Sequence, residues 1–222
     1  MEHYTEQTVD FLWRLRLNNS REWFREHKEE YERLMLAPTK ALANALYDHF
    51  AEVCPKHTWG LHLSRIYRDA RRLYGRGPMN DHLWFAIFAD GKRDGAPAFY
   101  FGFEPEGYDY GMGCWHGGNV MMARFRRQIA IRPEPAEQLA RRFTRQDTFA
   151  LYGEPYKKPK MQTSPVLQDW ANRRELGFHC EKPHDEISLG PALYETLRQG
   201  FDFLIPYFEY LTTLPELEEY DQ

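Results

Sequence analysis

Apolar positions between residues 8 and 17 recur with a helical period, placing Val9, Leu12, Trp13 and Leu17 on one stripe. Asn18-Asn19 interrupts the stripe. Asn19, with Glu22 three positions on, predicts a capping-box start for a second helix that carries Phe24, Tyr31, Leu34 and Met35. Pro38 opens a third helix, where Leu42, Ala45, Leu46, His49, Phe50 and Val53 follow i, i+3, i+4 spacing, and Pro55 ends it. The first quarter of the chain is therefore predicted to be helical.

The period then changes. Leu61, Leu63, Arg65 and Tyr67 alternate with His62, Ser64, Ile66 and Arg68, which predicts a strand on which Arg65, Tyr67 and Asp69 share one face. Residues 70–82 hold Gly75, Gly77 and Pro78 and read as a loop. Leu83–Ala89 is the pattern of a buried strand, Asp94-Gly95 a hairpin turn pair, and Ala98–Glu104 its partner. Tyr108–His116 makes a further strand. Helical patterning returns from Asn119, with Met122, Phe125 and Ile129 on one face, and again over Pro133–Phe143. Residues 153–165 form a basic, proline-punctuated loop, followed by a short helix opened by Ser164-Pro165. Leu176–Cys180 is one more strand. From Pro191, Leu193, Leu197, Phe201, Leu204, Phe208 and Leu211 give a long stripe in which Pro206 is expected to kink or break the helix. The fold expected is α+β: one domain over residues 1–222, with a central, mostly antiparallel sheet over about residues 61–116 plus one later strand, and N- and C-terminal helices packed on it.

Composition adds compartment and charge. The 222 residues can bury a sizeable core without cross-links, and 42% apolar with 28% charged residues is ordinary for a globular domain. Three cysteines with no C-x-x-C pair, a polar acidic start and no apolar run near ~20 residues predict a cytoplasmic protein with no membrane span. The net charge of −4 provides no global field for nucleic acid. The distribution is uneven. Residues 120–160 carry ten Lys/Arg against four acids, and residues 161–222 carry four against twelve. Either the acidic tail covers the basic middle, or the middle meets an anionic partner.

Three motifs, "NNSREWF" (18–24), "RIYRDAR" (65–71) and the glycine-rich "YGMGCWHGG" (110–118), resemble the Domain of Unknown Function 2461 family over most of the chain. Where that family continues after R-D-x-R with an aromatic residue, a lysine-containing turn and P-Y-K, this chain has Arg72, then Gly75-Arg76-Gly77-Pro78 and Met79-Asn80, which marks a divergent branch. The resemblance implies a single cytoplasmic α+β domain of bacterial type and carries no catalytic residues with it.

The chemistry concentrates between Arg65 and His82. Five arginines face two acids there, and arginine's planar fork suits carboxylates and phosphates. One reading makes Arg65, Arg68, Arg71 and Arg76 the lining of a small-anion pocket, with Tyr67 or His82 as the polar or proton-transfer partner. The other makes Asp69 the acid that pairs with a buried arginine and pins the loop. Asn80-Asp81-His82 reads as turn chemistry, because neighbours on a strand face opposite ways, although on a turn Asp81 and His82 can meet. Gly111–Gly118 leads into a helix N-terminus, where backbone N–H groups can hold an anion, and Trp115 and His116 join the candidate ligand-binding set on that ground. Neither G-x-G-x-x-G nor a P-loop is present, and no nucleophile elbow. Cys114 and His116, or His179 and Cys180, lack metal-ligand spacing, so no metal is predicted, and the sequence names no cofactor. The alternative function is a non-catalytic module whose basic middle, including Arg124, Arg126, Arg127, Arg141, Arg142, Lys157, Lys158 and Lys160, contacts nucleic acid or an acidic protein. No recognised nucleic-acid-binding motif supports it.

Overall fold

The computed structural model describes residues 2–69, 71, 73, 75–91, 95–114 and 118–216. Helices α1 (Glu6–Leu17), α2 (Arg21–Glu26) and α3 (Lys28–Tyr31) lead through a π-helical turn, Glu32–Leu36, into α4 (Ala37–Val53). Strands β1 (Trp59–Leu63), β2 (Leu83–Ala89), β3 (Pro97–Glu104) and β4 (Gly107–Cys114) follow. After them come α5 (Gly118–Ile131), α6 (Glu134–Phe143), β5 (Ala150–Tyr152), α7 (Gln168–Ala171), β6 (Gly177–Pro183) and α8 (Leu193–Thr212). The six strands form one antiparallel sheet in the order β1-β2-β3-β4-β6-β5, so the fold is α+β as its patterning predicts.

By contact the chain divides into two compact units. The first holds Met1–Asp90, Tyr100–Tyr110 and Glu181–Gln199. Its core forms where α4 packs on β1 and β2 and where Phe11, Leu12, Leu15, Met35, Leu46 and Phe50 are buried. β1 pairs with β2 in the register Leu61↔Ile87 and Leu63↔Phe85. Phe85, Phe101 and Phe103 point to the buried side, and the Tyr4 ring stacks 4.0 Å from Phe103. The Tyr4 hydroxyl meets Thr39 Oγ1 at 2.7 Å, the partner that a buried phenol requires.

The second unit holds Gly91–Phe99, Gly111–Cys180 and Gly200–Gln222. Phe143, Trp170, Phe178 and Tyr207 make an aromatic cluster, with Phe178 and Tyr207 centroids 4.8 Å apart. Phe99 packs against Phe201 and Phe208. A Cβ at Gly111 would sit 1.9 Å from the Phe178 carbonyl oxygen, so close strand approach accounts for a glycine in this stretch. Asp94, of the expected hairpin turn pair, lies outside the described residues.

Four expectations are corrected. In α1 the buried stripe is Thr8, Phe11, Leu12 and Leu15, while Trp13 is exposed and Leu17 is 80% exposed. The shift is a matter of phase: Thr8, Phe11, Leu12 and Leu15 follow i, i+3, i+4, i+7 spacing, an equally good helical period. The α2 cap is Ser20, whose Oγ accepts from Trp23 N at 3.2 Å, and Asn19 is used elsewhere. β1 ends at Leu63, so Arg65, Tyr67 and Asp69 do not share a sheet strand. Beyond Ser64 the backbone leaves β2 and pairs with its own loop instead, through a bridge between Tyr67 and Met79. Finally, of the kink or break expected at Pro206, the break does not occur: α8 runs on through it, because Phe201, Leu204, Tyr207, Phe208 and Leu211 are buried on both sides of it. Their burial offsets the ~3 kcal/mol that proline costs inside a helix.

Candidate functional site

The arginine segment forms a loop with a narrow neck. Arg68 N donates to the Pro78 carbonyl at 2.9 Å and Asn80 N to the Ile66 carbonyl at 2.6 Å. Asn80 Nδ2 also donates to the Arg65 carbonyl at 2.8 Å. Asn19 closes the neck from the start of α2: its Nδ2 donates to the Met79 carbonyl and its Oδ1 accepts from Met79 N, both at 2.9 Å. The amide thus imitates a strand neighbour. This approach is possible only beside glycine, since a Cβ at Gly77 would lie 2.2–2.4 Å from Asn19 side-chain atoms.

Against this neck lies an open cleft of about 440 Å³, lined by Arg16, Asn19, Arg68, Arg76, Gly77, Asp81, His82 and Glu104. Asp81 is its hub. Its Oδ2 accepts from Arg16 Nε, and its Oδ1 accepts from Arg68 Nη2 at 3.1 Å and faces His82 Nδ1 at 3.4 Å. The His82 contact and then Arg16 hold the Asp81 carboxyl far below the usual carboxylate range, against the opposing effect of partial burial. Arg68 Nε donates to Asn80 Oδ1 at 2.9 Å. Arg16 also grips Glu106 with both terminal nitrogens, which raises the arginine and lowers the glutamate. This is an interlocked set of charge-assisted bonds in a setting only partly open to water.

A family model described as "Conserved hypothetical protein (DUF2461)" matches residues 7–210 of the 222. The chain belongs to the DUF2461 family. No curated protein matches it. The match spans both the α2 motif and the arginine segment, which the Asn19–Met79 contact brings together in this DUF2461 structure.

The sequence-predicted residues separate in space. Arg68, Arg76 and His82 line the cleft, whereas Arg65 and Tyr67 are exposed and outside its lining. Tyr67 packs edge-on to Phe24 at 5.7 Å. Asp69 pairs with exposed Arg71, with Arg71 Nη2 2.7 Å from Asp69 Oδ2, so it is not the acid that holds Arg68. Asp81 does that, because the neck brings residue 81 back beside residue 68. Trp115 and His116 lie outside the described residues. Further along, Glu175 packs against Gly118 at the start of α5, its Cβ 3.1 Å from where a Gly118 Cβ would sit.

Arg16, Asn19 and Glu104 were not legible as site residues, because each is far from the arginine segment in sequence. Asp81 carried a signal in Asn80-Asp81-His82, read as turn chemistry. Asp81 does lie on a bend, and its carboxylate meets the His82 ring. Among the described residues no three His, Cys, Asp or Glu side chains converge as metal ligands, and no helix is long and apolar enough to cross a membrane.

The basic middle is largely engaged. Arg126 donates to the Ala171 and Arg173 carbonyls, each at 2.7 Å. Arg141 pairs with Glu137, Arg124 with Glu216, and Arg142 lies over the Phe203 ring at 4.7 Å. Lys157, Lys158 and Lys160 remain exposed.

Proposed function

We propose that this protein binds a small anionic ligand in the cleft beside the loop neck, with Arg76 and Arg68 as the recognising cations and His82 as the proton-transfer partner. One observation carries the reading. Arg76 lines the cleft, and its guanidinium has no hydrogen bond or ion pair among the described residues. Its five donors stay available for a carboxylate or phosphate. Arg68 is held in orientation by Asn80 and Asp81 through two of its three nitrogens, which leaves Nη1 for a ligand. His82 is aligned by Asp81 at one ring nitrogen, which supports acid–base use of the other. Three cysteines, an odd number with no C-x-x-C pair, support a reducing, cytoplasmic setting. The basic middle lends less to the alternative, an interaction module for nucleic acid or acidic protein, because so many of its arginines already serve the protein's own carbonyls, acids and rings.

The test is thermal unfolding of the full chain with phosphate, pyrophosphate and succinate. A bound anion at ten times its Kd raises Tm by about 3–5 °C. Arg76→Ala keeps the ligand-free Tm, because the side chain is exposed and unpaired, and loses the shift. An anion shift that survives in Arg76→Ala, or no shift with any anion, overturns the reading.

A further inference from the structure

Most of the charge lining this cleft is spent internally. Arg16 and Arg68 share Asp81, and Arg16 is closed by Glu106. Two lining charges are not spent: Arg76, and Glu104 at the end of β3. The Glu104 carboxylate makes no hydrogen bond and no ion pair among the described residues. Strand alternation puts Phe101 and Phe103 on the buried side and leaves Glu104 exposed. Its backbone is fixed as well, since its carbonyl accepts from His184 Nε2 at 2.7 Å. His184 does not pair with that carboxylate: its Nε2 is taken by the Glu104 carbonyl, its ring lies tilted against Phe103 with centroids 4.5 Å apart, and burial holds the imidazole below its ordinary value although the Glu104 charge acts the other way. The cleft therefore offers a ligand one unspent cation and one unspent anion. A ligand carrying only negative charge meets Arg76 but is repelled by Glu104, whereas one with an ammonium at its other end is attracted by both.

We propose that the ligand is dipolar: a small molecule with a phosphate or carboxylate that meets Arg76 and Arg68, and an ammonium group that meets Glu104. This rests on the anion-binding reading above and narrows it to one chemical class.

The experiment is calorimetric titration of the full-length protein near neutral pH with two matched pairs of probes. Phosphoethanolamine is compared with ethyl phosphate, and γ-aminobutyrate with butyrate. Each pair shares an anionic end and differs in the ammonium, and the pairs separate a phosphate ligand from a carboxylate one. The dipolar member of at least one pair binds about five-fold tighter, the upper range for one exposed ion pair. Glu104→Gln brings the two members of that pair to within about two-fold, and Arg76→Ala weakens both. Both substitutions are at exposed positions without side-chain partners, so folding is preserved. If the simple anions bind as tightly as their dipolar partners and lose affinity in Arg76→Ala, the dipolar assignment falls while anion binding stands. A preference that persists in Glu104→Gln also overturns it. If no probe binds, or binding is indifferent to Arg76→Ala, both readings fall.

Discussion

Asp81 shows how one side chain can organise a site without a distinctive sequence signature. It is mostly buried, with 14% of its side chain exposed, and it accepts from two arginines while facing a histidine. Replacing it by asparagine keeps the shape but removes the charge that Arg16 and Arg68 share. Asp81→Asn is expected to cost about 2 kcal/mol in urea denaturation, the range for charge-assisted bonds. It should also change the acid limb of stability. The folded Asp81 carboxyl titrates below its unfolded value, so its contribution is complete above about pH 5 and is lost as pH falls through and below about 4. The Asp81→Asn variant should show a shallower loss in that window, and an equal slope would remove Asp81 from its cause. The identity of Asp81 as the partner of Arg68 could not be read from the chain. Asp69 is nearer in sequence, but the neck folds residue 81 closer in space.

The loop neck and α8 show local preference bending to packing. Asn19 is a good helix cap by type, yet Ser20 takes that role and Asn19 binds the backbone of Met79 instead. The Asn19–Gly77 contact makes a measurable prediction. Gly77→Ala forces Asn19 away and should cost about 1–3 kcal/mol from overpacking together with the lost bonds. Asn19→Ala should cost about 1–2 kcal/mol through the two bonds to Met79. Asn19→Ala keeps a Cβ 2.4 Å from the added methyl, so relief requires Asn19→Gly, and Gly77→Ala combined with Asn19→Gly should be little worse than Asn19→Gly alone. Additive losses in a double-mutant cycle would contradict the contact. In α8, Pro206 interrupts the backbone ladder of a helix that forms regardless. Pro206→Ala is therefore expected to raise stability by about 1–3 kcal/mol in chemical denaturation. Sequence patterning locates β2, β3, α6 and α8 to within a residue or two, because each has a strong apolar period and clear punctuation. It misses β5, three residues with no period to detect. It also misplaces the α1 stripe, where two helical phases are available and only the packing partners select one.

For the molecule as a whole, ionisation sets a stability window. Glu106 is lowered by Arg16 and Glu195 is brought to about 2 by Arg198, so they join Asp81 in contributing stability that is lost on acidification below about pH 4. Burial acts at the other end, pushing Tyr31, Tyr207 and Tyr210 each up to about 12. A raised folded value means that their contribution is complete below about pH 10, where the unfolded phenol titrates, and falls as pH rises toward about 12. Urea midpoints across pH should therefore form a plateau that declines at both ends, and the alkaline decline should soften in Tyr210→Phe. A midpoint that changes no more at the ends than near neutrality would contradict this. Period, punctuation and composition, all local quantities, are enough to establish an α+β chain with an antiparallel meander, helices at both ends, and a charge-rich segment between Arg65 and His82. Which arginines are spent and which are available was decided only by the tertiary structure. Hydrogen bonds are lost within a few ångströms and exposed charges are screened over about 10 Å, and the contacts that matter join residue 16 to 81 and 106, 19 to 79, and 68 to 81.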